Sequence, residues 1–339
     1  MKKRIFLIII VLAVLCGAAA LLLRNGFRSN CVVRPGVVYI PTGSDYAALC
    51  DSLEAGGSRI RHRWFFDRYA DRLELERTLK PGCYELREGM SVIDVVRMFK
   101  LGLQTPVRVS MNNVKTVRQL AGKLSRQIEA DSASLVAAFT DGELTARLGF
   151  DTLTLFSMFI PDTYEMWWTV APGALVERMK KEYDRFWTGE RSRKLERTGL
   201  SRLEAMTLAS IVYEETRKSD EMPTVAGVYM NRLRTGMPLQ ADPTVKYAVG
   251  DFSLRRILNM HLKTPSPYNT YLNKGLPPSP ICMPSIEAID AVLDYERHNY
   301  IFFCAKEDFS GYHNFAENYS RHLANARRYQ AALNARNIR

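Results

Sequence analysis

The stretch Leu208-Ala-Ser-Ile-Val-Tyr-Glu-Glu-Thr216 sets carboxylates in apolar surroundings, the setting in which a carboxyl group becomes a general acid. Ser201-Arg-Leu-Glu204 has the form of a capping box, so a helix is expected to start there. At about 100° per residue, Ala205, Leu208, Ala209, Val212 and Thr216 share one face. Glu215 lies at the flank of that face, beside Leu208 and Ile211, while Glu214 is expected to point to solvent. Loss of water disfavours the charged form of Glu215 and raises its pKa toward the range of an acid catalyst. The structural alternative is a helix-edge glutamate paired with Arg217 or Arg232.

Polar groups that could surround such an acid follow downstream. Asn231 and Arg232 fall near the end of a helix expected from about Thr224 and closed by Gly236, which suits the left-handed position after a helix. Arg232 could orient a carboxylate or stabilise the fold. Gln240 and Asp242 precede Pro243 in an expected turn, free to face a cleft. Tyr268, Asn269, Thr270 and Tyr271 offer donors and acceptors suited to the hydroxyl and N-acetyl groups of an amino sugar; local backbone hydrogen bonding is the ordinary alternative for the Asn and Thr. Ile160-Pro-Asp-Thr-Tyr-Glu-Met-Trp-Trp168 combines a turn with Tyr164, Trp167 and Trp168, aromatic faces that stack on sugars or pack into a core. No GxSxG elbow, Walker A loop, HExxH helix or dinucleotide GxGxxG stretch occurs. Cysteines at 16, 31, 50, 83, 282 and 304 form no CxxC pair, which argues against a zinc site and leaves disulfide pairing open. No cofactor or metal is expected.

The order Ile160-Pro-Asp-Thr-Tyr164, Ala209-Ser-Ile-Val-Tyr-Glu-Glu-Thr216, Val225-Ala-Gly-Val-Tyr-Met-Asn-Arg232, Leu239-Gln-Ala-Asp-Pro-Thr-Val-Lys-Tyr247, Pro267-Tyr-Asn-Thr-Tyr271, Gly275-Leu-Pro-Pro-Ser-Pro-Ile281 and Gly311-Tyr-His-Asn-Phe315 with His322 closely resembles the YceG-like family of endolytic murein transglycosylases, over nearly the whole chain. The family's catalytic acid is the last glutamate of Ala-Ser-Ile-(Ile/Val)-Glu-x-Glu-Thr, which corresponds to Glu215. Tyr213 replaces the first glutamate, so no essential role is expected for a carboxylate there. Tyr164, Asn269, His313 and His322 also match family elements. The resemblance implies lytic cleavage of the MurNAc–GlcNAc bond within nascent glycan strands, without water, leaving 1,6-anhydroMurNAc ends, with a single glutamate acting as acid and then base. It further implies proximity to peptidoglycan synthases and a role in ending glycan elongation. From the residues alone a glycoside hydrolase with two carboxylates remains open, Asp242, Glu221 or Asp220 supplying the second, as does a non-catalytic wall-binding anchor.

These groups need elements to hold them. Ile5 to Leu23 is almost continuously apolar, preceded by Lys2-Lys-Arg4 and followed by Arg24 and Arg28. About 20 residues cross a bilayer core, so one spanning helix is expected. A cleaved signal peptide is the alternative, opposed by Leu21-Leu-Leu23 directly after Ala18-Ala-Ala20, and a lipoprotein reading of Cys16 fails at Leu15. The basic N-terminus is expected in the cytoplasm, with the remaining chain on the outer, peptidoglycan side. The formal net charge of +11, from 47 Lys and Arg against 36 Asp and Glu, is dispersed and reads as solvated surface, with no nucleic-acid partner expected. The expected fold class is α+β. Residues 1–24 form the cytoplasmic tip and membrane helix. A small mixed α/β unit follows over 25–105, with strands at Val37–Ile40 and Gly82–Leu86 and a helix capped by Ser91; the resemblance implies that it is LysM-like, and a plain spacer is the alternative. Residues 106–339 form a larger, helix-rich catalytic domain, opening with a helix from Thr116 and including a late strand at Tyr300–Cys304.

Overall fold

The structure is a computed structural model that describes residues 2–55, 60–61, 63–254 and 256–336. The chain divides into two compact units: Met1–Val109 with Arg126–Ala130 and Glu165–Val170, and Ser110–Ser125 with Asp131–Tyr164 and Ala171–Arg339. The architecture is helix-rich α+β, with three two-stranded sheets among the described residues.

The first unit opens with α1 (Lys2–Arg28), whose residues 4–24 are exposed along their length. Its apolar stretch, Arg4–Arg28, is long enough to cross a bilayer. There follow β1 (Gly36–Ile40), α2 (Tyr46–Ala55), α3 (Arg63–Arg72), the short α4 (Leu75–Thr78), β2 (Gly82–Leu86) and α5 (Val92–Leu101). β1 and β2 pair antiparallel, with Val38 opposite Tyr84 and Ile40 opposite Gly82. Period-two alternation buries Val38 and Ile40 and leaves Val37 and Tyr39 exposed. Ser91 caps α5 in a complete capping box with Asp94, and the stripe Val92, Val95, Val96 and Phe99 is wholly buried. The ring of Phe99 meets Tyr84 edge-on at 5.0 Å, tying helix to sheet.

Strand β3 (Val107–Met111) pairs with β4 (Asp162–Met166), a strand where the sequence indicated only a turn. The second unit carries α6 (Val117–Leu124), capped by Thr116, then α7 (Ser132–Phe139), α8 (Gly142–Arg147), α9 (Pro172–Phe186) and α10 (Glu190–Thr198). At its centre lies α11 (Arg202–Glu215), which begins with both bonds of the Ser201–Glu204 capping box. It packs against α12 (Met222–Arg234), α13 (Asp242–Val249) and α14 (Ile286–Leu293). The antiparallel hairpin β5 (Phe302–Ala305) and β6 (His313–Ala316) and the helix α15 (Tyr319–Ala335) complete it.

Several expectations shift. Every residue of α11 from Ala205 to Val212 is buried, so it is a core helix and not a one-faced surface helix. Glu214 consequently does not point to solvent: its side chain is 13% exposed and is held by Lys115 at 2.5 Å and Arg217 at 3.0 Å. Pro223 in the first turn of α12 starts that helix two residues before Thr224, and Gly236 closes it as expected at φ 65°, where Met237 donates back to the Arg232 carbonyl. Asp242 begins α13, ahead of Pro243, instead of sitting in a plain turn. All six cysteines are free thiols.

Ser91→Ala removes a cap from the helix that closes the first core. It is expected to cost about 1 kcal/mol locally, seen as several-fold faster amide hydrogen exchange along α5 with α11 unaffected; unchanged exchange would show that packing alone holds α5.

Candidate active site

Glu215 is the last residue of α11, and Thr216 leaves the helix in an extended conformation. The carboxyl group therefore projects from a rigid, buried rod where the chain turns away. It is half-buried and lines a cleft of about 920 Å³. Desolvation dominates its chemistry and pushes the pKa up to about 7. Tyr229 of α12, itself buried, donates its hydroxyl to Glu215 Oε1 at 2.8 Å and partly opposes that rise. The nearby charge of Asp242 adds to it, while His313 and Arg232 oppose it. No ion pair to Glu215 occurs among the described residues, because Arg217 goes to Glu214 and stacks on Tyr213 with its guanidinium 3.7 Å from the ring centroid.

Arg232 spends its fork on the scaffold. Nε donates to the Ile301 carbonyl at 2.7 Å and an Nη to the Leu239 carbonyl at 2.5 Å, with the guanidinium over the Phe302 ring. It thus ties α12 to β5 while its charge stays close to Glu215. Asn231 donates to the carbonyls of His298 and Tyr300 and accepts from Arg234, so its amide braces the same region. Asp242 and Tyr271 do belong to the acid's surroundings: Asp242 lines the cleft, and the Tyr271 hydroxyl donates to it at 2.7 Å. Gln240 is exposed and held at φ 48°, a left-handed conformation that costs a non-glycine residue about 1–3 kcal/mol. Its backbone N–H is fixed by the Thr270 carbonyl.

The loop 268–271 is mostly scaffold. Asn269 is wholly buried and donates to the carbonyls of Leu262 and Thr264, both at 2.9 Å. Thr270 is buried against Thr244, hydroxyl to hydroxyl at 2.8 Å. The Tyr268 hydroxyl bonds Ser279 at 2.6 Å and lines a separate cavity of about 260 Å³ with Tyr247. Expected sugar contacts at Asn231, Asn269 and Thr270 are therefore replaced by backbone bracing, the ordinary fate of a buried amide or hydroxyl. The Tyr164 hydroxyl is likewise committed, to the Ile160 carbonyl at 2.8 Å. Trp168 packs on Tyr39 within the first unit, and Trp167 stays 53% exposed there.

Half-buried His313 pairs with buried Glu221: its backbone N–H and Nδ1 lie 2.7 and 2.8 Å from the two carboxylate oxygens. Burial opposes the charge on Glu221, but these bonds outweigh it and hold the carboxyl below its usual pKa. Glu221 is thus committed to His313, and Asp220 accepts the Tyr312 hydroxyl. His322 stacks on Phe302.

Tyr229 is the functional neighbour that sequence reasoning missed, although it stands inside the quoted Val-Tyr-Met-Asn-Arg element. Lys246, Arg256 and, from α15, Tyr329, Gln330 and Asn334 line the cleft as well. Lys246 stands inside the quoted Leu239–Tyr247 element, four residues after Asp242, whereas nothing local marked Tyr329, Gln330 and Asn334, which only the return of α15 brings to the cleft.

A core helix ending in a desolvated acid at an open, polar cleft defines the class of site: a buried carboxyl group with a raised pKa, facing a cleft lined largely by polar side chains. The chain belongs to the YceG-like family, whose profile matches residues 38–328. It is 27% identical over 319 residues to a Streptococcus pneumoniae protein named endolytic murein transglycosylase, covering 85% of this chain and 57% of that protein. A Bacillus subtilis protein of the same name is 26% identical over 290 residues, 80% of this chain and 79% of the relative. The chain thus spans little more than half the length of the pneumococcal relative and most of the other. A crystal structure of a YceG-like protein from Listeria monocytogenes superposes with a TM-score of 0.58 at 26% identity, covering 86% of this chain and 98% of that one.

Tyr229→Phe deletes the hydroxyl donated to Glu215, and a donor to a carboxylate favours its charged form. The Glu215 pKa is expected to rise above its wild-type value, read by carbon-13 NMR of the labelled carboxyl; no change or a fall would remove Tyr229 from the site's electrostatics.

Proposed function

We propose that the chain is a membrane-anchored endolytic murein transglycosylase, with Glu215 as its only acid–base residue. The observation that carries this reading is the burial-raised carboxyl of Glu215 in the wall of the cleft, with no paired cation among the described residues. Near neutral pH such a group is partly protonated, and it can give its proton to the glycosidic oxygen between MurNAc and GlcNAc as that bond breaks. The new carboxylate is then stabilised by the Tyr229 hydroxyl and by the charges of Arg232 and His313, the groups that favour ionised Glu215. That carboxylate next takes the proton of the C6 hydroxyl of the same MurNAc, whose oxygen attacks C1 and closes the 1,6-anhydro ring. The proton lent in the first half returns in the second, and no water is consumed. The names borne by the pneumococcal and Bacillus relatives support this assignment.

In this reading residues 1–24 anchor the chain with Lys2-Lys-Arg4 in the cytoplasm, 25–105 form a LysM-like unit that meets glycan, and 106–339 form the catalytic domain beyond the membrane. Nascent strands at that surface come from peptidoglycan synthases, and internal cleavage there ends glycan elongation. Asp242, Tyr271, Gln240 and His313 remain the candidates for substrate positioning. Asp242 also supports a second reading, a two-carboxylate hydrolase, because its charge acts on Glu215 and it lines the same cleft.

Mass spectrometry of muropeptides released by the intact chain separates the readings. Lytic cleavage predicts 1,6-anhydroMurNAc ends, and Glu215→Gln should lower the rate by about 10²–10⁴-fold; reducing ends would transfer the assignment to the hydrolase, and an unaffected variant would leave a binding module. Because Glu215 must start protonated and its folded pKa is about 7, kcat/KM should fall as pH rises through that value. A flat profile from pH 6 to 9 would contradict the acid role.

A further inference from the structure

A second site lies in the first unit, where α1 leaves its apolar stretch. Arg24 and Arg28 stand one turn apart near the end of α1, and Arg68 and Arg72 stand one turn apart on α3. Residues four apart share a helix face, so each helix presents a pair. The pairs converge on a cavity of about 490 Å³, whose wall also includes Phe27, Tyr69 and Asp71. The convergence is enforced by packing. Phe27 meets Phe65 edge-on at 5.1 Å and Tyr69 at 5.8 Å, and Gly26 lies so near the Phe65 ring that an added Cβ would fall 2.3 Å from it.

Four guanidinium groups thus surround one cavity that holds a single carboxylate. Asp71 reaches only Arg68, at 3.8 Å and with both side chains largely exposed, so that pair is weak. Arg24, Arg28 and Arg72 have no carboxylate partner among the described residues. Gathering like charges is unfavourable unless a counter-anion joins them. Topology does not explain the arginines either, since basic residues beyond the first membrane helix oppose the bias that orients it. Guanidinium groups match phosphate by bidentate hydrogen bonding, and the cavity stands at the level where a spanning α1 would meet lipid phosphates.

We propose that Arg24, Arg28, Arg68 and Arg72 form a binding site for a lipid phosphate, with the ring of Tyr69 beside the headgroup. This rests on the reading that α1 spans the membrane. The ligand chemistry is a phosphate or pyrophosphate ester carried on a membrane lipid, either the headgroup of an anionic phospholipid or a polyprenyl pyrophosphate. Occupancy pins the first unit to the membrane surface, where strands still joined to a lipid carrier are presented.

The test is native mass spectrometry of the full chain in detergent, titrated separately with phosphatidylglycerol, phosphatidylcholine and a polyprenyl pyrophosphate. Arg68→Gln/Arg72→Gln is compared with the wild type and with a control carrying Arg118→Gln in the second unit. At least tenfold tighter binding of a phosphate-bearing anionic lipid than of phosphatidylcholine is expected, lost in the double variant and kept in the control. Arg68→Lys/Arg72→Lys should retain part of it, because charge remains while the bidentate fork is gone. Preference for phosphatidylglycerol assigns a headgroup site, and preference for the pyrophosphate assigns the carrier. Competition by inorganic pyrophosphate reports whether the phosphate alone suffices. Equal binding of phosphatidylcholine, or adducts unchanged in the double variant, overturns the site. A chain that partitions into water without detergent would overturn the anchor reading instead, independently of the arginines.

Discussion

Glu215 is a carboxyl group that folding has drawn away from bulk water and that, among the described residues, has the Tyr229 hydroxyl as its partner and no paired cation. That constraint explains the design of the second unit. A carboxylate paired with arginine would stay ionised and have no proton to give, while an unbonded one in the same surroundings would be hard to ionise at all. The Tyr229 hydroxyl places Glu215 between these limits, with a pKa of about 7. To keep the carboxyl there, α11 must be rigid up to its last residue. Its capping box fixes one end and burial from Ala205 to Val212 fixes the rest.

The surrounding polar residues hold the cations at a chosen distance. Arg217 is drawn to Glu214, which also takes Lys115, so the adjacent carboxylate absorbs charge that would otherwise ionise Glu215. Arg232 is fixed by the carbonyls of Ile301 and Leu239, close enough to favour the anion but not bonded to it. Glu221 ties His313 in the same manner. Arg232, Asn231 and Glu221 all have partners, as burial requires, and together they form a fixed frame around Glu215.

Much of this frame was legible in the sequence where the signals are local. Ser201 with Glu204, Ser91 with Asp94 and Gly236 acted as caps because a cap depends on residues within one turn, and the β1–β2 strands followed their apolar alternation. Glu215 was reached from helical spacing and from family resemblance alike. What escaped was tertiary. The burial of α11 on every face placed Glu214 in an ion pair with Lys115, 99 residues away in sequence, and no periodicity reports that. Asn231, Asn269 and Thr270 carry groups that suit a sugar equally well as the protein itself, and only the fold shows the two amides going to backbone carbonyls and the Thr270 hydroxyl to Thr244 and the Ala241 N–H. The late strand was found two residues beyond its start at Tyr300, since its apolar run alone does not fix where pairing with His313–Ala316 begins.

The most direct test of the central assignment is a pH titration of Glu215 in the folded wild-type chain, followed by the carbon-13 shift of its carboxyl with Glu215→Gln identifying the resonance. A desolvated acid bonded by the Tyr229 hydroxyl should titrate with a midpoint near 7. A midpoint at the ordinary value of 4.5 would show that Glu215 is ionised at neutral pH and has no proton to give.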